Sequence, residues 1–191
     1  MKHLSLLVLF VLFVLFLSCS RTPAPLPAPL PVPPPYDAAL RDGSVVFWRG
    51  GLLAGPILKH TDSTITHAAV VLYQNGEPFV YEAVPPCVHK VPLAEYRTLM
   101  AKKVHVTWII MEPIDRYATG QLAAMKAHAE SQLGRPYMLR GWWKDHVVRG
   151  IFCSQLVGDV IEKSGRIEAG GVHESPGSLY TKLLPLYKGK P

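Results

Sequence analysis

The chain has 191 residues, a length that suits one domain with a real core, and it carries a formal charge of +6 at pH 7. Its basic residues are scattered, with Lys102-Lys103 the one adjacent pair, so no stripe reads as a nucleic-acid surface and no nucleic-acid partner is expected. The mild basic excess suits solubility, or loose contact with anionic polymers and lipid head groups.

The chain opens with Met1 to Ser20, MKHLSLLVLFVLFVLFLSCS. A short basic start precedes an almost wholly apolar run from Leu4 to Leu17, too short to span a bilayer comfortably but right for the apolar region of a secretory leader. The run ends in Phe16-Leu17-Ser18-Cys19, which resembles the bacterial lipobox, with Phe16 in place of the usual leucine. That resemblance implies removal of residues 1–18, lipidation of Cys19, palmitate included, and a membrane tether; a plain signal peptide or an uncleaved anchor is the alternative. Ser20 after the cysteine resembles lipoproteins sent to the outer membrane, if the organism has one. Residues 19–35 then hold TPAPLPAPLPVPPP, where proline fixes φ and removes N–H donors. This reads as an extended spacer reaching roughly 43 Å at about 3.1 Å per residue, or as a docking site for a proline-reading partner.

The folded domain is expected over residues 36–191. Asp42-Gly43 signals a turn, and Ser44 to Trp48 a short strand. Gly50, Gly51, Gly55 and Pro56 break the pattern and imply a loop or short helix before Thr64. His67 to Tyr73 is an apolar strand, and Asn75-Gly76 turns it into a hairpin with Phe79 to Ala83. Val84-Pro85-Pro86 stops that strand, and Val104 to Met111 is a third long one. Leu122, Met125, Ala129 and Leu133 repeat at helical spacing before Gly134. Arg135 to Gly150 is too irregular to assign. Ile151 to Gly165 reads as a helix with Cys153 on its first turn and one buried face formed by Leu156, Val157, Val160 and Ile161. Ser175-Pro176 resembles an N-cap with proline at the first helical position, opening a helix to about Leu184. Strands first and helices later point to the α+β class.

Three residues can form a nucleophilic constellation. A helix N-terminus collects partial positive charge, which favours a thiolate at Cys153. A thiol needs an imidazole to take its proton, and the imidazole needs a third group to fix its tautomer. If the strands about Asn75-Gly76 pair, His67 and Glu82 come to lie roughly opposite one another near the open end of the hairpin. Each residue also has a plain structural reading: an inert core cysteine, a satisfied strand-edge histidine, a solvent-facing glutamate.

The motifs around these residues resemble a known group. Ala129 to Val157, with Gly134-Arg135-Pro136-Tyr137 ahead of Cys153-Ser154-Gln155-Leu156-Val157, looks like the cysteine-helix segment of NlpC-type cell-wall peptidases. Here, however, the histidine precedes the cysteine. That order, with Asp42-Gly43-Ser44-Val45-Val46-Phe47, Thr66-His67-Ala68, Tyr81-Glu82-Ala83, Phe152-Cys153-Ser154 and Ser175-Pro176, resembles the circularly permuted YiiX/YaeF-like branch of the papain fold. The resemblance implies a permuted papain-like fold, with an antiparallel sheet or small barrel packed against the cysteine helix. It also implies a cysteine peptidase or amidase with Cys153 as nucleophile, His67 as general base and acid, and Glu82 as the orienting group. Tyr137 is carried over as an oxyanion candidate, beside the Cys153 backbone N–H. Asp-Gly for Gly-Asp and Gln155 for the frequent glutamate depart from the pattern without touching the proposed chemistry.

The other histidines, at positions 60, 89, 105, 128, 146 and 173, show no metal-ligand spacing, so neither a metal nor a cofactor is expected. A disulfide between Cys87 and Cys153 would extinguish the chemistry. The leading expectation is a tethered thiol hydrolase acting on peptide or peptidoglycan-derived amides. The alternatives are acyl transfer or hydrolysis on lipids, with Trp142 and Trp143 lining a lipid-facing cleft, and a ligand-binding module that keeps the fold without the reaction.

Overall fold

The structure is a computed structural model, and it describes residues 40–50, 63–103, 106–138, 150–169, 171 and 174–190. The leader, Cys19, the proline-rich spacer, the expected loop or short helix after Gly50, Trp142, Trp143 and the histidines at 60, 105, 146 and 173 lie outside the described residues.

Six strands form one antiparallel sheet. They are β1 (Val45–Gly50), β2 (Ile65–Gln74), β3 (Glu77–Val84), β4 (Cys87–Pro92), β5 (Val106–Pro113) and β6 (Tyr187–Lys190), in the spatial order β4-β3-β2-β1-β5-β6. Among the described residues four helices accompany them: α1 (Leu93–Ala101), α2 (Thr119–Ser131), α3 (Cys153–Glu162) and α4 (Pro176–Leu183).

Both faces of the sheet are covered, which is why β2 reads as a continuous apolar run without alternation. On one face Val45, Phe47, Ala68, Val70, Leu72 and Tyr81 pack with α2, α3 and α4. On the other, Val46, Trp48, Ala69, Val71 and Val80 meet Leu93, Tyr96 and Met100 of α1. Each fully buried aliphatic side chain contributes about 1.5–3 kcal/mol, and α3 buries Leu156, Val157, Val160 and Ile161 on its sheet-facing stripe. The cysteine at the start of α3 is therefore fixed to the sheet by the same packing that holds the core together.

The hairpin turn is as expected. Asn75 (φ 50°) and Gly76 (φ 85°) both sit at positive φ, the conformation a two-residue hairpin turn requires. Three elements were not anticipated: β4, α1 and β6. Val84-Pro85-Pro86 ends β3, as expected, but the chain reverses there and returns as β4. The helix expected over Ile151 to Gly165 runs only from Cys153 to Glu162: Ile151 instead bridges to Tyr137, and Gly165, at φ 74°, lies beyond its end. Ser175 does cap α4, its hydroxyl accepting the Ser178 N–H at 3.0 Å, with Pro176 in the first turn.

Candidate active site

Cys153 is the first residue of α3 and is 5% exposed, a free thiol that does not pair with Cys87. No side chain caps this helix, so its first-turn N–H groups are available to other acceptors. The sulfur accepts the N–H groups of Ser154 and Ala68. The Ala68 donor is available because β2 and β3 pair only from Val70–Tyr81 to Gln74–Glu77, leaving that stretch of β2 without a β3 partner. The start of α3 thus delivers its sulfur to the backbone of β2 next to His67.

A bulge aims the histidine. Trp48 pairs with His67 and Arg49 with Ile65, so Thr66 is the extra residue, and its hydroxyl donates to Gly50 O at 2.6 Å. His67 Nε2 lies 2.8 Å from Glu82 Oε2, both side chains buried. The ring also hydrogen-bonds the Cys153 thiol; with Nε2 committed to Glu82, that contact falls to Nδ1. The hairpin register corrects the expected placement of Glu82. The two-residue turn pairs Gln74 with Glu77, so Glu82 continues to a position opposite Ala69, and His67 is its diagonal neighbour on the same face. A glutamate is long enough to span that diagonal.

Glu82 is held from more sides. His89 on β4, its direct register partner, brings Nε2 to 3.1 Å from Oε1, and the Tyr96 hydroxyl of α1 donates to Oε2 at 3.4 Å. Trp48 lies over the histidine, its ring centroid 4.0 Å from that of His67, and an indole near an imidazolium favours the charged ring.

These contacts set the charges. Burial opposes a charged ring at His67, but the Cys153 thiolate and the Glu82 carboxylate outweigh it and raise the imidazole to about 9. Burial likewise pushes the Cys153 thiol up; the His67 charge and hydrogen bond, with the two backbone donors, bring it below its ordinary value. Burial would raise Glu82 too, yet the hydrogen bonds from His67 and His89 lower it to about 2. The directions of these shifts favour a thiolate at Cys153 and an imidazolium at His67, with a carboxylate behind it.

Tyr137 belongs to this neighbourhood. Burial and the nearby Cys153 charge both raise its phenol. Two strand-like contacts hold its segment: Tyr137 N–H donates to Pro86 O at 2.9 Å, and Met138 N–H to Ile151 O at 3.1 Å. The close approach requires Gly150, where a Cβ would sit 2.3 Å from the Met138 Cβ and 3.0 Å from Pro136 O. On the other side, Ser154 Oγ donates to Glu174 O at 2.5 Å, tying α3 to the chain leading into α4. A cleft of about 530 Å³ opens beside the start of β2, lined by Arg49, Thr64, Ile65, Ser175, Ser178 and Tyr180 among others.

With this geometry in place, comparison with known proteins identifies the group. A family described as permuted papain-like amidase enzymes, YaeF/YiiX, matches residues 39–174. The chain belongs to that family. It is therefore a member of a papain-like cysteine amidase family, and the matched YaeF/YiiX span contains Cys153, His67, Glu82 and Tyr137. Among solved structures the chain is similar to the metalloprotein yiiX from Escherichia coli O157:H7, with a TM-score of 0.62 and 17% identity over 80% of this chain and 97% of that one. At that identity the likeness speaks to the fold alone. No curated protein matches the chain.

The yiiX description raises the question of a metal. Here both His67 and His89 direct Nε2 at one carboxylate instead of converging lone pairs on a shared point, and among the described residues no three His, Cys, Asp or Glu side chains are grouped to hold an ion. Among the described residues, the donors around Glu82 do not fit a metal centre. Sequence reasoning on this YaeF/YiiX-type chain missed His89, Tyr96 and Trp48. In the sequence His89 is one of several histidines without metal-ligand spacing, and its place beside Glu82 depends on β4, which the two prolines conceal. A signal for α1 was present in Leu93, Tyr96 and Met100, three apolar residues at helical spacing.

Proposed function

We propose that the chain is an envelope-tethered cysteine amidase in which Cys153, His67 and Glu82 act as a triad on peptide or peptidoglycan-derived amides. The observation that carries this reading is the continuous contact from the Cys153 thiol through the His67 ring to Glu82, with 2.8 Å between Nε2 and Oε2.

The Cys153 thiolate attacks the amide carbonyl carbon, and the carbonyl oxygen takes the negative charge. The Cys153 N–H and the Tyr137 hydroxyl are the donors for that oxyanion. His67 gives its Nδ1 proton to the leaving nitrogen as the C–N bond breaks, leaving a thioester on Cys153 and a free amine. The neutral ring then takes a proton from water, which attacks the thioester carbon. The acid leaves and the thiolate–imidazolium pair is restored. Glu82 keeps the ring in the tautomer that presents Nδ1 to the sulfur throughout.

The test is capture of the intermediate. Incubation with muropeptides and rapid acid quenching should leave an acyl group on the Cys153 peptide, read by mass spectrometry, with none on the Cys153→Ser variant as a thioester. An acyl adduct formed from phospholipids and not from muropeptides would replace the amidase reading with lipid acyl chemistry. No adduct from either, with no turnover, would favour a ligand-binding module.

The membrane tether rests on the lipobox-like Phe16 to Cys19 and the spacer behind it. It places the domain on a lipid-anchored N-terminus, at the periplasmic face of the outer membrane in a diderm organism. The Cys19→Ser variant is expected to move from the membrane fraction to the soluble one. Unchanged fractionation would assign the attachment to another feature.

A further inference from the structure

We infer that His89 is a positioning residue for the reaction, acting through Glu82 as the second histidine on one carboxylate; this rests on the triad reading above. A glutamate that touched only His67 would be free to rotate about its terminal bond and turn its carboxylate plane away from the ring. Glu82 is 6% exposed and cannot do so without loss, because both its oxygens are occupied. Oε2 receives His67 Nε2 at 2.8 Å and the Tyr96 hydroxyl at 3.4 Å, and Oε1 receives His89 Nε2 at 3.1 Å. A carboxylate accepts and does not donate, so His89 presents Nε2–H to it. Turning Glu82 away from His67 would leave the Nε2–H groups of two histidines facing one another without the acceptor they share.

The clamp is built from separate elements. Glu82 lies on β3, His67 on β2, His89 on β4 and Tyr96 on α1. These, with Cys153 of α3 on the far side of His67, are the titratable groups gathered on the carboxylate and its ring among the described residues. His89 sits on the sheet's edge strand with its side chain 36% exposed, whereas the side chains of Glu82 and His67 are each only 8% exposed. It is the outermost of the histidine contacts and makes no hydrogen bond to the sulfur or to His67. Its effect must therefore pass through the orientation of Glu82, which fixes the His67 ring and, through it, the ionisation of Cys153.

Two amide variants separate hydrogen bonding from bulk. The Nε2 of glutamine occupies nearly the place of the histidine Nε2, whereas the shorter asparagine places its amide nitrogen nearer to Nδ1. His89→Ala and His89→Asn should slow iodoacetamide alkylation of Cys153 at neutral pH, and the kcat of amide turnover, by about tenfold, the effect of losing one hydrogen bond to a charged group. KM should stay unchanged, and His89→Gln should restore both rates. Wild-type rates in His89→Ala would overturn the inference. So would equal losses in the glutamine and asparagine variants, which would make His89 a packing residue. His67→Ala and Cys153→Ser serve as controls measured alongside. If neither loses turnover, the triad reading itself fails; if both lose it while His89→Ala does not, only the role of His89 falls.

Discussion

Replacing His67 with alanine is expected to slow iodoacetamide alkylation of Cys153 at neutral pH by about 30-fold or more. An ordinary thiol, with a pKa of about 8.5, is only a few per cent ionised at pH 7. Cys153 is buried, and burial alone would push it higher still; the His67 charge is the first of the effects that bring it down. Without the imidazolium, two backbone donors, Ala68 N–H and Ser154 N–H, are left to hold the thiolate. Amide turnover should fall further, by about a thousandfold, since the leaving nitrogen also loses its proton donor. The difference in alkylation should close in alkaline solution, where the variant's thiol ionises unaided. Alkylation at the unaltered rate near neutrality would mean that His67 does not set the ionisation of Cys153.

The second large effect is expected at Glu82. The Glu82→Gln variant keeps the shape but replaces an all-acceptor group with one carbonyl oxygen and one amide NH2. Three donors face that group: His67 Nε2–H, His89 Nε2–H and the Tyr96 hydroxyl. At least one of them must meet the NH2, and two do if it takes the place of Oε2. If His67 does, the ring is driven into the tautomer with its proton on Nδ1 and can no longer take a proton there. Whichever donor it is, the negative charge that helps raise the His67 ring to about 9 is gone. Turnover should fall by about 10²–10⁴-fold, as expected for losing the orienting member of a triad. The alkaline limb of the pH–rate profile, set by His67, should move down toward the ordinary imidazole value of about 6.5. A variant with reduced turnover but an unmoved alkaline limb would show that Glu82 orients the ring without influencing its charge.

Much of this arrangement could be read from the residues. The α+β class followed from strands preceding helices, and the Asn75-Gly76 hairpin from a turn sequence that admits two positive φ angles. The cysteine helix followed from the spacing of Leu156, Val157, Val160 and Ile161, though not its true start. What escaped was whatever depended on register. Opposition of His67 and Glu82 was an approximation that the two-residue turn does not allow; the pair meets diagonally, with the Thr66 bulge on the other side of β2 aiming the ring. His89 was legible only as an isolated imidazole, because its partnership with Glu82 exists only once β4 pairs with β3. Pro85-Pro86 reads locally as the end of a strand, and nothing local says that the chain turns there and pairs again. The YaeF/YiiX family match accounts for the order of the motifs, with His67 before Cys153. The chemistry of the site rests on the contacts themselves.

The central claim is that Cys153 is held as a thiolate by the His67 imidazolium. The most direct measurement is the rate of Cys153 alkylation as a function of pH, followed on its own peptide by mass spectrometry. Reactivity should rise through a midpoint well below the ordinary thiol range of about 8.5, stay level through neutrality, and change again near pH 9, where His67 loses its proton. A single midpoint at or above about 8.5 would contradict the account, because it would mean that the sulfur is a buried neutral thiol at the pH where the chemistry has to occur.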